Sequence, residues 1–144
     1  MIHNDLLFSF LLLSDTVQLK TRKLIGNSII NAISPTQLSI LKFVKFNDLV
    51  TPSHVNKYMK MSMPNTSREI NKLITKRFLT KVVNERDRRK YYLYLTSDGE
   101  TLINEFFTVV ENQFSKQIKN ISNEDLIEII TSIEVLNEKL LKKL

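Results

Sequence analysis

The residues best suited to chemistry stand side by side: Arg86, Asp87, Arg88, Arg89 and Lys90. Four cations with a single carboxylate among them do not make a catalytic group. They make a donor cluster for a polyanion, because guanidinium and ammonium groups form charge-assisted hydrogen bonds to phosphate oxygens. A solvated turn also needs polarity, but not this much charge of one sign. A second cluster lies upstream: Ser62, Asn65, Thr66, Arg68 and Lys72 recur at helical spacing. Asn and Arg are the side chains that bond adenine and guanine edges bidentately, whereas Lys, Ser and Thr usually hold phosphates. Ser62 is read first as a helix cap whose N-terminus also suits a phosphate.

Other chemistries find no residues. The chain has no cysteine, which excludes disulfides, thiolate catalysis and iron–sulfur ligation. Its two histidines, His3 and His54, have no neighbouring ligand cluster, so no metal is expected. Gly26 and Gly99 are the only glycines, too few for a phosphate-cradling loop. Glu124, Asp125 and Glu128 suit the first turn of a helix rather than an acid–base pair. Met59, Met61 and Met63 are read as packing rather than as an oxidation sensor. The expectation is a protein without cofactor that is not an enzyme.

The charge distribution agrees. The net charge is +6, but residues 35–96 carry 13 Lys/Arg against 4 Asp/Glu, or +9, while the remainder carries 8 against 11, or −3. A basic middle between mildly acidic ends places a polyanion surface on one part of the molecule. With 42% hydrophobic residues in 144, a packed core is expected. The apolar run 6–13 lacks the flanks of a signal peptide and is far short of the ~20 residues that span a bilayer. It reads as part of a buried helix, and the chain as cytoplasmic.

Elements must now position the two clusters. The first helix is expected over about 5–26, ending near Gly26. Ser34, Pro35 and Gln37 form a capping box with proline at the first helical position, and Ile33 and Leu38 a hydrophobic staple. Thr51 and Pro52 repeat the device for a short helix with Val55, Tyr58 and Met59 inward. Ser62 caps a third, over 63–79, with Thr66, Ile70, Leu73, Ile74 and Arg77 on one face. Asn65, Arg68, Glu69 and Lys72 share the other. Strands follow at 80–84 and 90–96, the second alternating Tyr91, Leu93 and Leu95 against Tyr92 and Tyr94. The cation cluster is the turn between them. Helical period returns over about 97–119, with Ile103, Phe106, Val110 and Phe114 in one stripe. Ser122 caps a last helix whose stripe runs from Leu126 through Ile133, Leu136 and Leu140 to Leu144.

Two helices about a tight turn, then a basic hairpin, is the sequence form of a winged helix. The residues from Thr51 to Gly99 resemble the MarR family of winged-helix transcriptional regulators. "SREINKLITKRFL" (67–79) resembles that family's recognition helix, and "DRRKYYLYLTSDG" (87–99) its wing pattern of Asp-x-Arg, an alternating strand and Leu-Thr-x-x-Gly. Those positions are Asp87, Arg89, Leu95, Thr96 and Gly99. One departure is Phe78, where the family usually has glycine; it calls for a different cap or a strained φ.

The resemblance implies a mainly α chain with a small β-hairpin, a single unit over 1–144. Residues 34–96 would be the winged helix-turn-helix, and 1–33 and 97–144 dimerisation helices. It implies a homodimeric repressor on a pseudo-palindromic double-stranded DNA operator, released by a small-molecule effector. Arg89 becomes the minor-groove arginine and Asp87 the acid that orients it. Phe8, Leu11, Phe106, Val110, Phe114, Ile133, Leu136 and Leu140 become the dimer face. The alternative is a winged-helix protein-interaction module that does not bind operator DNA.

Overall fold

A computed structural model describes residues 1–144. The chain forms two compact units, Met1–Val110 and Glu111–Leu144. In order, the first holds α1 (Ile2–Leu24), α2 (Asn27–Ala32), α3 (Pro35–Phe46), α4 (Pro52–Met59), α5 (Met63–Thr75), β1 (Leu79–Val83) and β2 (Tyr91–Leu95). Helix α6 (Ser97–Ile118) crosses from the first unit into the second, which continues with α7 (Asn123–Lys139) and a 3-10 turn at Leu141–Lys143. The protein is mainly helical with one antiparallel hairpin, a winged helix-turn-helix with flanking helices.

The caps form as their residue types dictate. Ser34 Oγ accepts from Gln37 N at 3.2 Å and Gln37 Oε1 from Ser34 N at 3.3 Å, closing the box. Thr51 and His54 close a second box, each side chain accepting the other's backbone N–H at 3.2 Å. Ser122 Oγ accepts from Asp125 N at 3.1 Å at the start of α7.

The core of the first unit is one cluster. Ile40 and Leu41 from α3, Val55 from α4, Ile70 and Leu73 from α5 and Ile103 from α6 are fully buried at its centre, with Leu79 and Leu93 below the hairpin. Each such side chain contributes about 1.5–3 kcal/mol relative to an exposed one. The hairpin pairs Leu79 with Leu95 and Val83 with Tyr91. Leu93 N also donates to Val50 O at 2.8 Å, so the segment before α4 adds a one-residue third strand.

Several expectations are corrected. Helix α1 ends at Leu24, and Gly26, with extended backbone, is the N-cap of the short α2. Tyr58 is not inward: it is exposed and stacks on Phe43, with ring centroids 4.4 Å apart. Helix α7 stops at Lys139, where Leu140 leaves helical geometry. Phe106, expected on a dimer face, is only 7% exposed and belongs to the chain's own core, with Val110 packed beside it. The helix gives Phe106 the same face as Ile103 and Leu102, and that face meets α3 residues in the cluster.

Helices α1 and α7 bury no residue. On α1, Phe8 is 71% exposed, and Leu6, Leu7, Leu11 and Leu12 are open as well. On α7, Ile129, Ile130 and Ile133 are exposed and Leu136 is half-buried. No helix is long and apolar enough to cross a membrane.

Candidate nucleic-acid interface

Helices α4 and α5 are joined by a turn with no glycine. Lys60 takes the left-handed conformation, φ 52° and ψ 41°, that ends α4. Ser62 then caps α5, its Oγ accepting from Asn65 N at 3.3 Å. Asn56 ties the two helices, its amide donating to Met61 O and, at 3.3 Å, to Thr66 Oγ1. Thr66 Oγ1 donates in turn to Ser62 O at 2.9 Å. Thr66 is therefore the polar pin of the turn and has no exposed surface. Its assignment as a DNA contact is corrected: the position lies on the buried face with Ile70 and Leu73.

The outer face of α5 is open and polar. Asn65 and Arg68 are exposed and act as a pair, the guanidinium donating to Asn65 Oδ1. Lys72 is exposed, but its ammonium lies 2.8 Å from Glu69 Oε1. The other Glu69 oxygen accepts from the Gln37 amide at 2.9 Å. The Lys72 and Gln37 hydrogen bonds hold the Glu69 carboxyl below the usual glutamate range, outweighing its partial burial.

The exit from α5 resolves the missing glycine. The left-handed residue is Arg77, φ 63°, and not Phe78. Arg77 N donates to Ile74 O at 2.9 Å and Phe78 N to Leu73 O at 3.0 Å, the two bonds of a Schellman motif. Phe78 follows it and packs against the core. Arg77 is thus exposed at the cap rather than stacked beneath Leu73.

The hairpin turn is built by two short polar side chains. Asn84 Oδ1 accepts from Arg86 N at 2.8 Å and Asp87 N at 3.4 Å. Asp87 Oδ1 accepts from Arg89 N at 3.1 Å. Lys90 N donates to Asp87 O and Asn84 N to Lys90 O, closing the loop. Asp87 therefore orders the backbone at Arg89 and makes no ion pair with its guanidinium, which corrects the expected role. Arg86, Arg88, Arg89 and Lys90 are all exposed, and none takes part in a salt bridge. The loop presents four free cations on a fixed backbone.

Sequence reasoning missed Asn56 and Asn84, which shape the turn and the wing. The signal available was an Asn before a polar turn, a residue type that bonds nearby backbone groups.

A helix-turn-helix with an exposed polar second helix, followed by a cationic hairpin, defines a winged-helix protein. Residues 33–90 match the model of the MarR family. Among solved structures, the chain is similar to Streptococcus pneumoniae FabT in complex with DNA, at 21% identity over 100% of both chains with a TM-score of 0.77. It is similar to a MarR transcriptional regulator from Methanosarcina mazei Go1, at 23% identity over 92% of this chain and 99% of that one, TM-score 0.72. It also resembles a mutant MarR from E. coli complexed with operator DNA, at 20% identity over 89% and 91%, TM-score 0.68. At such identities the likeness is one of fold. No curated protein matches the chain.

Proposed function

We propose that this chain is a transcriptional regulator without enzymatic activity that binds double-stranded DNA. It acts as a homodimeric repressor on a pseudo-palindromic operator and is released by a small ligand. The observation that carries the reading is the wing: four unpaired cations on a turn whose backbone is held by Asn84 and Asp87. A solvated turn needs no such concentration, whereas a narrow minor groove attracts an inserted guanidinium. The Asn65–Arg68 pair on α5 supplies the base-edge donors and acceptors that a major groove reads. FabT and the E. coli MarR were both solved with DNA, which supports the same reading.

Dimerisation is supported by uncovered apolar faces on α1 and on α7, each of which a second copy covers. Repression and ligand release rest on the family resemblance. The test is selection of bound sequences from a random duplex pool, with sedimentation of the free protein. The expected result is an inverted repeat with half-sites about 34 Å apart and a dimer in solution. A pool that yields no enriched sequence would overturn the reading. Enrichment of a single half-site by a monomer would overturn the dimer.

A further inference from the structure

Gln37 is a polar side chain in an apolar place. It is 4% exposed and both its polar side-chain atoms are bonded. Its Oε1 accepts from Ser34 N at 3.3 Å and from Lys76 Nζ at 3.0 Å. Its Nε2 donates to Glu69 Oε2 at 2.9 Å. Lys76 Nζ also donates to Ala32 O at 2.9 Å, the last carbonyl of α2. A capping residue needs only the Ser34 bonds, and an apolar residue would fill the space without polar desolvation. The extra bonds ask for another reason.

Their geometry supplies one. Glu69 on α5 and Lys76, the residue that caps its C-terminus, are seven positions apart, about two turns along one edge. Both converge on one amide, itself clamped by the α3 cap. Two anchors on one edge resist rotation of a helix about its axis, which apolar contacts resist poorly because they are not directional. The exposed tips of α5 lie about 6 Å from that axis, so a rotation of about 10° moves them by about 1 Å. That displacement spoils a bidentate base contact, whose angles are narrow. A phosphate contact by a flexible lysine tolerates it.

We propose that Gln37 is a positioning residue for base reading: it fixes the rotation of α5 through Glu69 and Lys76, and so sets discrimination among duplex sequences rather than affinity for DNA as such. The inference rests on the function proposed above. Gln37 itself touches no DNA. Base reading belongs to Asn65 and Arg68, which adjoin Glu69 on α5. The amide is uniquely suited to the place, because it offers one acceptor to a cation and one donor to an anion.

The test is the ratio of operator to random-duplex affinity at one salt concentration, a ratio in which the uniform effect of an added charge cancels. Gln37→Glu sets two carboxylates against each other, and the ratio is expected to fall about tenfold, the size of one mismatched base pair. The exchange Gln37→Glu with Glu69→Gln restores each donor to an acceptor and is expected to recover the ratio to within about twofold. Lys72 and Lys76 keep their acceptors in the exchanged protein. A wild-type ratio in Gln37→Glu, or no recovery in the exchange, would overturn the proposal. Should Gln37→Glu fail a thermal unfolding check, Gln37→Met takes its place: it keeps the volume, and an unchanged ratio would be equally fatal. A wild type that selects no duplex overturns the function and this inference together, which separates that failure from failure of the positioning role alone.

Discussion

A Cβ built on Gly99 would lie 2.1 Å from the carbonyl oxygen of Phe78. The first turn of α6 therefore rests directly on the backbone that leaves α5. The same carbonyl accepts from Thr96 N at 3.1 Å, and Thr96 Oγ1 accepts from Gly99 N at 3.0 Å while donating to Arg77 O. The Leu-Thr-x-x-Gly pattern is thus a weld between the end of the hairpin, the start of α6 and the exit of α5. Its threonine supplies the bonds and its glycine supplies the clearance.

Gly99→Ala is accordingly expected to destabilise the fold by about 1–3 kcal/mol, the range for forcing an atom into a filled space. The contact is with backbone, which cannot rotate away as a side chain would. The denaturant midpoint reads the effect directly. An unchanged midpoint would mean that α6 slides off Phe78 at no cost.

Arg77 holds a left-handed conformation that L side chains occupy at a penalty. Arg77→Gly should raise stability by about 1 kcal/mol, as at other left-handed helix ends. Phe78→Gly should lower it, because Phe78 packs against the core. Opposite signs at adjacent positions, measured by thermal unfolding, test the Schellman assignment. Stabilisation at 78 and not at 77 would refute it.

The wing prediction concerns Arg89. Arg89→Ala should reduce operator affinity by about 1–3 kcal/mol and leave the unfolding midpoint where it was. Asp87→Ala should weaken binding too, by loosening the turn, since Asp87 holds the Arg89 backbone and not its side chain. Asp87→Asn keeps the accepting oxygen and should bind nearly as well as wild type. If Asp87→Asn were as damaging as Asp87→Ala, the carboxylate charge would matter and the backbone role would be wrong.

On α5, Arg68 and Lys72 should separate by kind of loss. Arg68→Ala removes the group paired with Asn65 and should reduce discrimination between operator and random duplex. Lys72→Ala should weaken both duplexes alike and lower the salt slope by about one, as loss of one phosphate contact does. Filter binding across a salt series distinguishes the two. Equal loss on both duplexes for Arg68→Ala would remove it from base reading.

Glu69 gives the fold a pH dependence. Its carboxyl titrates lower in the folded chain than in the unfolded one, held down first by Lys72 and then by Gln37. The stabilisation is therefore present above the unfolded-state pKa of about 4.3 and disappears as pH falls through the lower folded value. Glu69→Gln should flatten that acid limb of the stability curve and leave its neutral limb parallel to wild type. An acid limb of unchanged slope would assign the titration to other carboxylates.

Much of this architecture was legible in the residues. Ser34, Thr51, Ser62 and Ser122 each cap the helix expected of them, because a hydroxyl before a helical stripe has one good use. The hairpin was legible from period two, with each strand boundary displaced by about one residue. What periodicity could not show was which side of an apolar stripe is already occupied. Phe106 and Phe114 lie on the same stripe, yet one is core and the other is half exposed. Periodicity did place Thr66 on the face of Ile70 and Leu73, and its reading as a DNA contact ran against that stripe; only its bond to Ser62 O was hidden. Glu69 and Lys72 read only as positions on the face of α5 opposite the apolar stripe. The bonds of Gln37 to Glu69 and to Lys76 join residues more than thirty positions apart, and no local pattern announces them.

Helix α1 runs for 23 residues without burying one of them. A helix of that length gains little from backbone propensity alone and draws most of its stability from packing. On the dimer reading, that packing comes from another molecule, so the population of ordered α1 obeys mass action. Dilution then acts as a local denaturant at one end of the chain while the winged helix, with its own core, stays folded. The protein would carry two stabilities: one fixed by its sequence and one set by how many copies the cell holds.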